Sequence, residues 1–208
     1  MHLLTEEQVR VIGALIEKEK TTPEYYPLSV NSLTNACNQK SSREPVVNYT
    51  EEQVQKVLLE LLDIPFVCKV TSADQRVPKY KQLFTTALGL TTAESAIMGV
   101  LMLRGAQTPG EIRSRSGRLY EFSSLEEVES VIHQLISRVE PLAVKLPRQP
   151  GRDARYAHLL SGMPEIKETP PAEKEDSQPD LIRQIEQLRH ELDELKEQFA
   201  EFRKQFES

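Results

Sequence analysis

Apolar positions at helical spacing open the chain. Val9, Ile12, Leu15 and Ile16 recur at the interval that lines one helix face. Thr5-Glu6-Glu7-Gln8 stands before them as a capping box, in which the Thr hydroxyl accepts from a backbone N–H and Gln8 reaches back. The pattern predicts a helix from about 5 to 19, ended by Thr21, Thr22 and Pro23. Ser29 caps a second helix, with Leu33, Ala36 and Cys37 on its apolar side and Asn31, Asn35 and Asn38 on another face. Residues 39–49, with Pro45 among them, read as a loop. Thr50-Glu51-Glu52-Gln53 is a second capping box, and Val54, Val57, Leu58, Leu61 and Leu62 form the core stripe of a third helix that Pro65 stops. Residues 67–70 and 80–84 are β-rich and partly alternating around a polar turn, which predicts a hairpin.

The same order then returns. Leu90-Thr91-Thr92-Ala93-Glu94 mirrors Leu4-Thr5-Glu6-Glu7-Gln8, and Gly99-Val100-Leu101 echoes Gly13-Ala14-Leu15. Thr108-Pro109-Gly110-Glu111 supplies a cap, a proline at the first helical position and a carboxylate three residues on, where Ser29 stood before. Ser124-Leu125-Glu126-Glu127-Val128 repeats the start of the third helix, and Ile132, Leu135 and Ile136 match Leu58, Leu61 and Leu62. Residues 70–84 align without a gap on 146–160, with Arg76 on Arg152 and Tyr80 on Tyr156. Four segments in one order indicate an internal duplication of about 80 residues. Each copy reads helix–helix–helix–hairpin, the plan of a winged helix. Each is near the lower size for an independent core, so the copies are expected to pack together.

The expected fold class is therefore mainly α with small β-hairpin wings, as two tandem winged-helix domains plus a C-terminal coiled-coil helix. The boundaries are 1–86 and 87–163 for the domains, 164–179 for a Pro- and Glu-rich linker, and 180–208 for the coiled coil. In the last segment Leu181, Ile185, Leu188, Leu192, Leu195, Phe199, Phe202 and Phe206 alternate at spacings of four and three, an unbroken heptad seam. Glu191 and Lys196 stand where an interhelical ion pair forms in a parallel dimer. A homodimer is expected, against the alternative of a helix folded back onto its own domains.

Charge changes this picture in one respect. Residues 1–85 carry 10 basic and 11 acidic side chains, 86–163 carry 9 and 8, and 164–208 carry 7 and 13. The acidic bias sits in the tail, so the overall charge of −6 does not weigh against nucleic acid as a partner of the rest. Cys37 and Cys68 lack CxxC partners, and they read as buried free thiols in a reducing compartment. No basic and apolar leader and no apolar run near 18 residues is visible, so a cytoplasmic location without membrane association is expected.

The run T-N-A-C-N-Q-K-S-S-R-E-P, inside residues 27–46, resembles the YceH-like family of bacterial proteins. The resemblance covers residues 1 to about 163 and implies two tandem winged-helix domains, in agreement with the repeat. It implies neither a reaction nor a ligand.

Three sets of residues are candidates for function. A winged helix reads DNA with the N-terminal residues of its third helix. Here those are Glu51, Glu52 and Gln53, and Glu126, Glu127 and Glu129, whose carboxylates would repel phosphate. They equally complete capping boxes and favour the helix dipole. The second copy holds a basic set: Arg113, Arg115 and Arg118 on or just after its second helix, and Arg148, Arg152 and Arg155 in its wing. If the two elements face one side, these guanidiniums could track a phosphate backbone; otherwise they form a solvated face diluted by Glu111, Glu121 and Asp153. The family-motif segment Asn31, Asn35, Asn38, Gln39, Lys40, Ser41, Ser42 and Arg43 could bind a peptide backbone, a phosphate or base edges. Its simpler role is to cap helix ends and hold the loop in one shape.

His2, His133, His158 and His190 are scattered, and no triad order, Gly-rich phosphate loop or paired-carboxylate motif stands out. A non-enzymatic protein without metal or cofactor is expected. Two readings follow. In the first the protein is a DNA-associated regulator that contacts duplex phosphates through wings and arginines. In the second it is a scaffold that docks a partner protein through its acidic third helices and the Asn-rich segment 31–43.

Overall fold

The computed structural model describes residues 3–71, 77–148, 151 and 153–164. The heptad helix, nearly all of the linker, Arg152, His2 and His190 lie outside the described residues. The described residues belong to one compact unit spanning Met1–Glu165.

The predicted caps are made. Thr5 accepts from the Gln8 amide and Gln8 returns a bond to the Thr5 amide, which opens α1 over Glu6–Thr21. A 3-10 turn at Pro23–Tyr25 follows. Ser29 caps α2, Val30–Cys37. Thr50 and Gln53 box the start of α3, Glu51–Leu62. Strands β1, Val67–Val70, and β2, Lys79–Gln82, then pair antiparallel. The second strand ends earlier than its β-rich pattern suggests. The Phe84 ring is drawn fully inside, where it meets the Phe66 ring edge-on at 5.1 Å, and the chain turns there into the four-residue helix α4, Phe84–Ala87.

The second half repeats this order with α5, Thr92–Arg104, α6, Pro109–Ser116, and α7, Leu125–Ile136, followed by β3, Ala143–Lys145, and β4, Tyr156–His158. The fold is thus mainly helical with two small antiparallel hairpins. The duplication reaches the level of strand register. Val67 faces Gln82 and Ala143 faces His158; Lys69 faces Tyr80 and Lys145 faces Tyr156. The residue before each second-helix cap, Leu28 or Gln107, exchanges both backbone hydrogen bonds with the aligned tyrosine, Tyr80 or Tyr156. Each hairpin is tied in this way to the entry of its own second helix.

The two halves share a core through α1 and α5. Gly13 and Gly99, matched in the repeat, let these helices approach closely. A Cβ on Gly13 would stand 3.0 Å from Met102 Cβ, and one on Gly99 would stand 3.3 Å from Ile16 Cγ2. Ile16 and Met102 are themselves repeat equivalents, so each helix sets its glycine under the other's bulky residue.

This packing overrides the one-faced stripe read for α1. Every residue from Gln8 to Ile16 is buried, because α3 and α2 cover one side and α5 the other. Arg10, polar in the pattern, is only 4% exposed.

Candidate functional site

The basic set of the second copy is partly tied into the fold. On α6, Arg113 donates from Nη2 to the Ser123 carbonyl at 2.9 Å and from Nε to the Phe122 carbonyl at 3.4 Å, so it fastens the loop before α7. Arg115 donates to Gln107 Oε1 and stands 3.6 Å from Glu111. Arg155, just before β4, donates to the Ala106 carbonyl at 2.8 Å and to both oxygens of Glu111 at 3.0 and 3.3 Å. The second hairpin and α6 therefore meet on Glu111. Burial would raise the Glu111 pKa, but the hydrogen bond of its Thr108 cap and the Arg155 and Arg115 guanidiniums hold it below the ordinary carboxylate value. Arg118, beyond the end of α6, is exposed and makes no hydrogen bond or ion pair with a described residue. Arg148 follows β3 in the same hairpin, and Arg152 is outside the described residues.

The acids at the third-helix starts are engaged locally. Glu127 accepts from the Ser123 amide and hydroxyl at 2.7 Å each and from the Tyr120 hydroxyl at 2.9 Å. Those bonds, Ser123 foremost, hold its pKa below the ordinary value. Glu51 accepts from Asn31 at 2.7 Å. Glu52, Glu126 and Glu129 remain exposed.

The family-motif segment divides into an inner and an outer part. Asn38 brackets the loop: its Nδ2 donates to the Tyr49 carbonyl and its Oδ1 accepts from the Tyr49 amide, both at 2.8 Å. Arg43 points inward, with a side chain 0% exposed. It forms a forked pair with Glu17 at 3.0 and 2.5 Å, bonds the Ala36 carbonyl at 3.1 and 2.8 Å, and bonds Gln39 Oε1 at 2.9 Å. Arg10 donates to the Pro45 carbonyl at 2.6 Å, and the Glu44 amide donates to the Leu103 carbonyl on α5 at 2.8 Å. The loop that carries the motif is thus a clasp between the copies. Asn31, Asn35, Lys40 and Ser41 form the outer part and are exposed, and Asn35 donates to Asn31 at 3.4 Å. Ser42 is half-buried, with a left-handed backbone at φ 62°.

Several placements were not visible in the sequence. Arg104, at the end of α5, is half-buried beside Arg115 and Arg118 in a cleft shared with Glu17 and Ser42. Burial, then Arg115, pulls its pKa down. The matched glycines Gly13 and Gly99 were the one signal that α1 and α5 would meet. His158 holds the position of Gln82, but its Nδ1 is buried without a hydrogen-bond partner among the described residues and burial lowers its pKa to about 4. His133 is on the surface, 3.2 Å from Ser137 Oγ. Cys37 is buried, which pushes its thiol up to about 12, and Cys68 is half-buried. Among the described residues no group of His, Cys, Asp and Glu could hold a metal ion, and no helix is long and apolar enough to cross a membrane.

Residues 4–152 match the family model described as "Protein of unknown function, DUF480". The chain is also 46% identical over 200 residues to the UPF0502 protein YceH of Salmonella paratyphi B, with 93% of each chain covered. The same figures hold for the UPF0502 proteins YceH of Salmonella newport and Salmonella heidelberg. That coverage extends beyond the first 163 residues into the tail.

Proposed function

The chain belongs to the DUF480 family, and on that premise we propose that it is a non-enzymatic, duplex-DNA-associated regulator. In this reading the two helix–helix–helix–hairpin copies are tandem winged-helix domains, and the heptad tail is a coiled coil that pairs two chains. The observation that carries the proposal is the contact of Arg155 with Glu111. It ties the second wing to α6, so Arg115 and Arg155 share one face, with Arg118 next along the chain. That is the arrangement a phosphate backbone requires of a basic set split between two elements. Glu111 draws on two of these guanidiniums, so Arg118 is the principal contact. The acids at the third-helix starts disfavour reading of bases in the groove, so binding has little sequence preference and falls steeply with salt.

The test is fluorescence anisotropy on one labelled duplex across a salt series. Arg118→Gln and Arg148→Gln should each flatten the log–log salt slope by about 0.9, the value of one lost phosphate contact. A wild type that binds no duplex at low salt rejects the proposal. The scaffold reading then stands. It is favoured by a groove of about 530 Å³ along Gly110, Arg113, Gly117, Phe122 and Leu125, the last 43% exposed.

A further inference from the structure

We propose that the seam between the two copies binds a single phosphate group, either free inorganic phosphate or the phosphomonoester of a small molecule. The site is a partly enclosed cleft of about 60 Å³ where α1, the motif loop, the end of α5 and the segment after α6 meet. A water needs about 10–15 Å³ of such space, so the cleft has room for a group the size of a phosphate.

Its lining has the chemistry for that anion. Arg104, Arg115 and Arg118 face it together. Arg115 is held by Gln107 and Glu111, which orients it. The side chains of Arg104 and Arg118 make no hydrogen bond or ion pair with any described residue, so their donors are uncommitted. The carboxylate in the lining, Glu17, is already matched by the forked bond from buried Arg43. Glu44, also near Arg104, offsets part of the remaining charge. Like charges gathered in a half-buried cleft oppose one another, and a dianion set among them turns that repulsion into attraction. Ser42 adds a second observation. Its φ of 62° lies in the left-handed region that a serine seldom adopts. That backbone sets Ser42 in the cleft wall, and its hydroxyl has no partner among the described residues. The family motif S-S-R-E-P thus has an inward role, Arg43 closing the clasp, and an outward one, Ser42 at the cleft.

This inference goes beyond the duplex reading. Arg104, Ser42 and Glu17 belong to the seam and not to the wing face, and Arg118 alone serves both with an uncommitted side chain.

The experiment is isothermal titration calorimetry on the full chain. The probes are sodium phosphate and glycerol 2-phosphate, with sodium chloride of equal ionic strength as control. The wild type should give saturable binding of one anion per chain. Arg104→Gln and Arg118→Gln should each weaken it by about tenfold or more, as loss of a charged hydrogen bond does. Arg148→Gln should leave it unchanged. Tighter binding of the monoester than of phosphate assigns the site to a small organic phosphate, and the reverse assigns it to the free ion. Arg118 is exposed, so its variant tests the site even if Arg104→Gln fails to fold. The proposal is overturned if neither probe gives saturable heat, or if both arginine variants bind as the wild type does. Duplex binding without phosphate binding overturns the seam site and leaves the duplex reading intact.

Discussion

Replacing Arg43 with Met removes the centre of the clasp at nearly constant volume. The side chain is 0% exposed and makes hydrogen bonds to Glu17, Ala36, Ser42 and Gln39. Its loss leaves the Glu17 carboxylate, 16% exposed, with Lys18 at 3.9 Å as its one ion-pair partner among the described residues. Breaking a buried ion pair from one side costs about 3–5 kcal/mol, because the remaining charge stays desolvated. Glu17 keeps some access to water, so the expected cost is near the lower end, about 3 kcal/mol. Against a total stability of about 5–15 kcal/mol the variant still folds. Urea denaturation measures the cost as a fall in the midpoint at constant slope. Glu17→Gln and the double variant complete a cycle, and the double variant should be more stable than the sum of the two single losses predicts. Hydrogen exchange supplies the local readout. The Glu44 amide, bonded to the Leu103 carbonyl, and the Tyr49 amide, bonded to Asn38, should lose protection before the helices do. A cost below about 1 kcal/mol, or a cycle without coupling, would refute the reasoning that this buried pair holds the loop.

The glycine pair gives a contrast. Gly13→Ala should destabilise by about 1–2 kcal/mol, since its Cβ meets Met102 Cβ and Leu103 at 3.0–3.1 Å and overpacking outweighs the helix propensity gained. Gly99→Ala, with 3.3 Å to Ile16, should stay within about 1 kcal/mol of the wild type by thermal melting. His158 is kept neutral by burial, with its pKa lowered from 6.5 to about 4. The unfolded chain therefore binds the extra proton first as pH falls, and this contribution, up to about 3 kcal/mol, is complete above pH 6.5 and is lost progressively between 6.5 and 4. His158→Gln, which copies Gln82, should flatten the stability–pH curve in that window; an unchanged curve would show the imidazole to be solvated. Deleting residues 164–208 should lower the mass seen by light scattering from dimer to monomer, and a truncated chain that stays dimeric would place the pairing elsewhere.

The features legible in the sequence are the local ones. Thr5, Ser29, Thr50, Thr91, Thr108 and Ser124 could be read as caps because a cap is decided within four residues. The likeness of the two hairpins was legible in the repeat, and aligned positions do pair alike in both copies. What escaped was set by contacts between positions distant in the chain. Arg10 sits among polar positions of α1 and reads as solvent-facing; it is buried, with its guanidinium on the Pro45 carbonyl of the motif loop. Arg43 read as part of an outer surface for the same reason, and its partner Glu17 lies 26 positions away. Of the six arginines, the pattern could not tell Arg113, bonded to backbone carbonyls, from Arg118, which is uncommitted. A hydrogen bond between distant residues leaves no period in the chain.

Hydrogen exchange of the full chain with and without a short duplex at low salt tests the central claim most directly. The account predicts added protection over 113–118 and on the second hairpin, 143–158, removed by raising the salt. Protection confined to segment 31–43 and the starts of α3 and α7, or no protection anywhere, would contradict it.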